Sequence, residues 1–227
     1  MAPWDGPSPD DPRPDAVLLD VDGALLDTPT VWAAVVGGLV RSFGGVWLPD
    51  DAAAVRGWPV PALCAELARR GVPLASDEVA ERLGAGVMAL LRRGLPWRPG
   101  ARTLLVSLTH AGVPCALVTV GPRSVADAVR ADLPDDSLGA VVSGDDPGPP
   151  LPAPDAYLLA ARQLQVDPGR CAAVEEAPTG VRGALGAGAF TYAVDPRAAL
   201  PAPVAAHPRL RRVDDLAAVG RALLASW

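Results

Sequence analysis

From about residue 98 onward the chain alternates helical and strand-like patterns without a break, and that alternation limits its possible folds more than any other feature. A helical stretch from Ala101 to Ala111 passes through Gly112 into the apolar run PCALVTV, and a helix opening near Arg123 and ending by Asp132 precedes AVVSG. PDAYLLAARQL leads to CAAVEE, a helix from Thr179 to Ala187 leads to AFTYAV, and a last helix covers 214–225. Short runs that are apolar on both faces read as buried parallel strands, and strand–helix units in series build a doubly wound α/β sheet. Binding crevices in such sheets lie outside the carboxyl ends of the strands.

A first strand, DAVLLDVDG over residues 15–23, ends in two aspartates and a glycine. Between it and the alternating region the pattern is helical throughout: VWAAVVGGLVRSF, VPALCAELARR and SDEVAERLGAGVMALLRR, the last with Ser76 as its expected N-cap. The chain is therefore expected to hold a Rossmann-like core of residues 15–27 and 98–227, with a small α-helical domain inserted at 28–97. Residues 1–14 hold five of the 26 prolines and three Asp, and read as a disordered arm. DDPGPPLPAPD at 145–155 reads as a loop.

Composition excludes several function classes. A net charge of −6 with no basic stripe argues against nucleic acid as a partner. No apolar run reads as a membrane span, and the acidic, proline-rich N-terminus does not read as a secretory signal, so the expectation is a cytoplasmic protein. Cys64, Cys115 and Cys171 lie far apart without metal-ligand spacing and read as small buried residues. All twenty basic residues are Arg; Lys, Asn and Ile are absent, the mark of a GC-rich genome.

The strand ends carry the chemistry. Asp20 and Asp22 follow the first strand, Thr119 the second, Ser143 the third, and Glu175 with Glu176 the fourth. Four converging carboxylates need a counter-charge, and hard oxygen ligands suit Mg²⁺. An aspartate beside such a cation is a known type of covalent phosphoryl acceptor. His110 and His207 have no acid or nucleophile at motif spacing and are expected to be solvated. Trp32, Trp47, Trp58 and Trp97 are expected in core packing, with Trp58, beside Arg56 and Gly57, able to line a pocket.

The segments LLDVDGALLDT, ALVTVGPRS, PAPDAY and AVEEAPTGVRGALGAGA, in this order, resemble the motifs of the haloacid dehalogenase-like hydrolase superfamily, in the subgroup with a small helical cap between the first and second motif. The resemblance runs from about Asp15 to the C-terminus. It implies a Mg²⁺-dependent phosphatase of a small phosphorylated metabolite, working through an aspartyl-phosphate. Asp20 would be the nucleophile and Asp22 the general acid and base. Thr119, Gly23 and the backbone N–H groups of Val120 and Gly121 would bind the phosphoryl group. Asp20, Asp22, Glu175 and Glu176 would hold the metal, and the cap would exclude water and select the leaving group.

The sequence departs from the motifs at several points. Ala24 replaces a threonine after DxDG, Val120 replaces a polar residue after Thr119, and Glu175-Glu176 replaces a pair ending in Asp. The segment LPAPD begins in relatives with a lysine that bridges nucleophile and phosphate; here it begins with Leu151. Losing one such stabiliser is expected to cost roughly 10²–10³ in rate. Arg123, at a helix opening after Thr119, is the expected substitute cation, with Arg56 a weaker one and Arg162 pointing away. Two alternatives stay open: a degenerate member that binds a ligand or partner without turnover, and a sugar phosphomutase using the same residues.

Overall fold

The computed structural model describes residues 13–55, 60–148, 151–194 and 199–225. The expected arm lies outside the described residues except for Arg13 and Pro14, and Arg56, Gly57 and Trp58 lie outside them as well. The chain divides into two compact units, one formed up to Leu26 and again from Trp97, the other Asp27–Pro96. Helices α1 (Thr28–Ser42), α2 (Pro49–Ala54), α3 (Val60–Arg69) and α4 (Ser76–Leu91) build the second unit.

The first unit holds α5 (Ala101–His110), α6 (Arg123–Ala131), α7 (Asp155–Gln163), α8 (Pro178–Gly186), α9 (Ala202–Ala205) and α10 (Leu216–Leu224). Its strands are β1 (Ala16–Asp20), β2 (Cys115–Val118), β3 (Ala140–Val142), β4 (Cys171–Glu175), β5 (Phe190–Ala193) and β6 (Leu210–Arg212). They form one sheet in the order β3-β2-β1-β4-β5-β6 with every pairing parallel. This is the doubly wound α/β architecture expected from the alternation.

Because side chains alternate along a strand, even and odd positions of β1 face opposite sides of the sheet. Ala16 and Leu18 join Ala116, Val118, Ala140, Cys171 and Ala173 in a cluster covered by Tyr157, Ala160 and Ala161 of α7 and Ala184 of α8. Alanine dominates this face, which lets the helices sit close to the sheet. Val17 and Leu19 are equally buried on the other side, so both faces are covered. Helices α5 and α10 pack on each other, and Leu104 and Leu108 of the one and Leu216, Val219 and Leu223 of the other are buried.

Strand β6 escapes a reading by hydrophobic runs. Its three residues, Leu210–Arg212, include two arginines, and among the described residues it pairs only with β5, at the edge of the sheet. One expected cap is also displaced: α4 begins at Ser76 itself, with Ala75 in the N-cap position and no side-chain cap bond. The Ser76 carbonyl instead accepts from the Cys64 thiol at 3.4 Å, so Ser76 is tied to α3 by its backbone.

The second unit has its own core. Val36 and Val40 of α1, Leu63, Cys64 and Leu67 of α3, and Val79 and Leu83 of α4 are buried together with Val72. Their i, i+3 and i, i+4 spacing is the apolar stripe of amphipathic helices. Helix α1 is capped by Asp27, whose carboxylate accepts from the Thr30 hydroxyl at 2.8 Å and from the Thr30 N–H at 3.4 Å. Arg70 reaches the Asp51 carboxylate at 2.9 Å and Glu66 at 2.6 Å, and its guanidinium lies 4.8 Å from the Trp47 ring centre. No helix among the described residues is long and apolar enough to cross a membrane.

Candidate active site

Strand register brings the acidic residues to one sheet edge. Leu19 of β1 lies opposite Val174 of β4, so the next residues, Asp20 and Glu175, end neighbouring strands at the same level. Asp20 lies opposite Val118 of β2, which puts Thr119 one step further along. By their phase along the strands, Asp20 and Glu175 both fall on the sheet face covered by α7.

The chain turns sharply after Asp20. The Val21 carbonyl accepts from the N–H groups of Leu25 and Leu26, and the Gly23 N–H donates to the Leu26 carbonyl at 2.8 Å. Gly23 has φ +93°, and a Cβ there would lie 2.6 Å from Oε2 of Glu176. Both the left-handed backbone and the close approach demand glycine. The Glu176 carboxylate is thus packed against the Asp20–Gly23 turn.

Asp20 is only 7% exposed, and its Oδ2 is fully buried with no hydrogen-bond partner among the described residues. Burial raises its carboxyl pKa well above the usual range, and the carboxylates of Glu175, Asp22 and Glu176 push it further. A hydrogen bond from the Asp22 backbone N–H opposes this. An orphaned carboxylate oxygen among three other acids is a costly arrangement for a protein alone, and a bound cation would offset that cost.

The two adjacent glutamates have separate surroundings. Glu176 is half-buried at the Gly23 turn, whereas Glu175 is turned into the core and is 1% exposed. Oε1 of Glu175 accepts from the buried Tyr157 hydroxyl, and Oε2 accepts from the backbone N–H groups of Glu176 at 2.9 Å and Ala177 at 3.1 Å. Burial pushes the Glu175 carboxyl up to about 7 despite these donors. Glu175, expected as a metal ligand alongside Glu176, therefore has both oxygens committed elsewhere. Tyr157 was unmarked as a functional residue in the sequence, because nothing in PAPDAY shows that its hydroxyl meets an acid 18 residues away.

On the other side of β1, the Thr119 hydroxyl donates to Oδ2 of Asp22 and its Oγ1 accepts from the Gly121 N–H at 2.8 Å. A Cβ on Gly121 would lie 3.2 Å from that same Asp22 oxygen, so the loop after β2 closes onto the Asp22 carboxylate. Val120 between them is 64% exposed. Arg123 opens α6, where its N–H donates to Asp145 at 2.7 Å and its Nη2 pairs with Asp146 at 2.8 Å. Asp146 also accepts from the N–H and hydroxyl of Ser143, and these bonds together with Arg123 hold its carboxyl below the usual range. Asp145 and Asp146 were invisible as partners of Arg123 from the sequence, lying in a loop 22 and 23 residues downstream.

Leu151 packs against the α7 face of the core. A Cβ on Gly183 would sit 2.8 Å from its Cδ2 and 3.5 Å from the Tyr157 ring. The position at which the motif resemblance leads to the expectation of a lysine is here part of an apolar contact. His207 accepts from the Arg209 N–H at 3.2 Å and is half-buried, so it closes a turn; His110 is exposed.

Among the described residues no group of three or more His, Cys, Asp or Glu side chains is arranged as a metal cluster. Mg²⁺ does not require one: it is commonly bound by one or two carboxylates and keeps several waters. The orphaned Asp20 oxygen and the Glu176 carboxylate at the same turn supply that smaller set of hard oxygen donors.

The chain matches the haloacid dehalogenase-like hydrolase family over residues 14–188. It belongs to that family. Hexitol phosphatase A of Escherichia coli K12 is 42% identical over 123 residues, 53% of each chain, so the match spans about half the length of that relative. The plasmid protein CbbY of Cupriavidus necator is 31% identical over 201 residues, 76% of this chain and 75% of its own. A hydrolase of the same family from Deinococcus radiodurans R1, solved with bound phosphate and sodium, superimposes with a TM-score of 0.71 at 28% identity, covering 95% of this chain and 96% of that one.

Proposed function

We propose that this hydrolase is a Mg²⁺-dependent phosphatase of small phosphorylated sugars. The observation that carries the reading is the Asp20 carboxylate: buried at the carboxyl end of a central strand, with one oxygen lacking a hydrogen-bond partner among the described residues and with Asp22, on the turn that follows, hydrogen-bonded to Thr119 after the neighbouring strand. The sugar assignment draws support from relatives named as a hexitol phosphatase and a phosphatase of validoxylamine A 7′-phosphate.

Asp20 attacks phosphorus through a carboxylate oxygen, and the P–O bond to the sugar breaks as Asp22 passes its proton to the leaving oxygen. Asp22 then takes a proton from water, which attacks phospho-Asp20 and releases inorganic phosphate with Asp20 restored. Thr119 holds the Asp22 carboxylate in place through both steps. Asp20, Glu176 and the Asp22 carbonyl would hold Mg²⁺, which supplies charge neutralisation for the phosphoryl oxygens. Arg123, shared with Asp146, is assigned to the phosphate.

Phosphate release from a panel of sugar phosphates, wild type against Asp20→Asn, tests this reading. Metal-dependent turnover that the substitution abolishes supports it; turnover no higher than that of the variant across the panel overturns it. One observation favours a second reading, ligand binding without turnover: Leu151 is committed to core packing and brings no positive charge to the acids.

A further inference from the structure

We infer that Tyr157 is a positioning residue for the divalent-cation site, acting through Glu175 on Glu176. The inference rests on the metal reading of the proposed function. It starts from the geometry of one buried carboxylate. Tyr157 is fully buried, on the α7 face that also carries Ala160 and Ala161, and its hydroxyl donates to Oε1 of Glu175.

With Oε1 held there, Oε2 gathers the N–H groups of Glu176 and Ala177, at 2.9 and 3.1 Å. Those two peptides are the whole link between β4 and Pro178, the first residue of α8. Fixing both fixes the direction in which the Glu176 side chain leaves the backbone. That direction ends at the Gly23 turn, where the Glu176 carboxylate occupies the space a Cβ would fill.

Gly180 supports the same arrangement from the helix side. A Cβ there would lie 1.7 Å from Oε1 and 2.5 Å from Oε2 of Glu175, so only glycine leaves room for the inward carboxylate. Without the Tyr157 hydroxyl, Oε1 is a buried acceptor lacking its donor, and the carboxylate must swing away to find one. The amide bonds to Glu176 and Ala177 then loosen, and the Glu176 carboxylate loses its set position. Groups that orient a metal ligand in this way typically carry roughly 10–100-fold in metal affinity.

The test is calorimetric titration of the intact protein with MgCl₂, wild type against Tyr157→Phe, with melting temperatures measured in parallel. The expected result is Mg²⁺ binding weakened by about 10-fold or more, and turnover that falls at low Mg²⁺ but recovers when Mg²⁺ is raised. A purely structural tyrosine would lower the melting temperature and leave Mg²⁺ binding alone; that result overturns the inference. Gly180→Ala keeps the hydroxyl but displaces the carboxylate, and is expected to weaken Mg²⁺ binding in the same way. If Tyr157→Phe does not fold, Gly180→Ala decides, and wild-type affinity in it overturns the inference. A wild-type protein that binds no Mg²⁺ overturns this inference and the metal reading together, whereas tight binding without turnover on any sugar phosphate overturns only the proposed function.

Discussion

Thr119 and Asp22 are 97 residues apart in the chain and share a hydrogen bond at the site. The threonine hydroxyl is the donor, so the carboxylate assigned to proton transfer is held by a side chain from the neighbouring strand's loop. Thr119→Val removes that donor without changing volume much. Hydrogen bonds to charged groups contribute about 1.5–3 kcal/mol, so kcat should fall about 10- to 100-fold, with Thr119→Ser retaining most of the rate. Steady-state kinetics on the best sugar phosphate check this; an unchanged kcat in Thr119→Val would remove Thr119 from the mechanism.

The absence of lysine matters at Leu151. Its side chain sits beside Tyr157, whose hydroxyl is on Glu175, so a lysine at 151 brings a cation next to the acidic cluster. Leu151→Lys is expected to raise kcat/KM by about 10-fold or more. The same change removes an apolar contact with the core, so the melting temperature should drop slightly. Rates equal to or below wild type would show that the leucine is not what limits turnover.

Arg123 is the arginine assigned to the substrate phosphate. Arg123→Ala should raise KM several-fold while kcat changes less, the pattern of lost substrate binding, on the order of 1 kcal/mol. Unchanged kinetics would confine Arg123 to its pairing with Asp146.

The three cysteines are all buried, and burial pushes the Cys115 thiol up to about 12 and that of Cys171 to about 11. The thiolate is the reactive form, so neither should react in the folded protein at pH 8. A chromogenic disulfide reagent is expected to label the protein only after denaturant is added. Rapid labelling of Cys115 or Cys171 in the native state would contradict their burial.

The Arg70 guanidinium holds both Glu66 and Asp51 below the usual carboxylate range, chiefly through its hydrogen bonds to them. Depressed pKa values mean that this stabilisation is present above the unfolded-state values and is lost as pH falls through the folded ones. Arg70→Ala should therefore lower the urea midpoint at pH 7 and lower it less below about pH 3. Tryptophan emission follows the transition, since Arg70 also lies over Trp47. A midpoint difference that does not shrink in acid would exclude the ion pairs as its cause.

Most of the sheet was legible because buried parallel strands must be short, apolar on both faces and separated by helices. The first five strands announce themselves this way, and their ends point to Asp20, Asp22, Thr119, Ser143, Glu175 and Glu176 without separating the last two. Strand β6 does not, because an edge strand pairs on one side only and Leu210–Arg212 carries no run of its own. Ser76 was legible as a helix start but not as a residue inside it, since a one-residue choice of cap depends on the tie to Cys64.

Local pattern therefore determined the fold class, the edge of the sheet where chemistry sits, and the residue types gathered there. Tertiary structure decided where each acid sits and what it touches. Glu175 and Glu176 are identical and adjacent, and no local rule separates them. Register and phase turn the first toward Tyr157 and the space at Gly180, and leave the second at the Gly23 turn. The physical reason is that a buried carboxylate must find donors, and those donors come from distant parts of the chain.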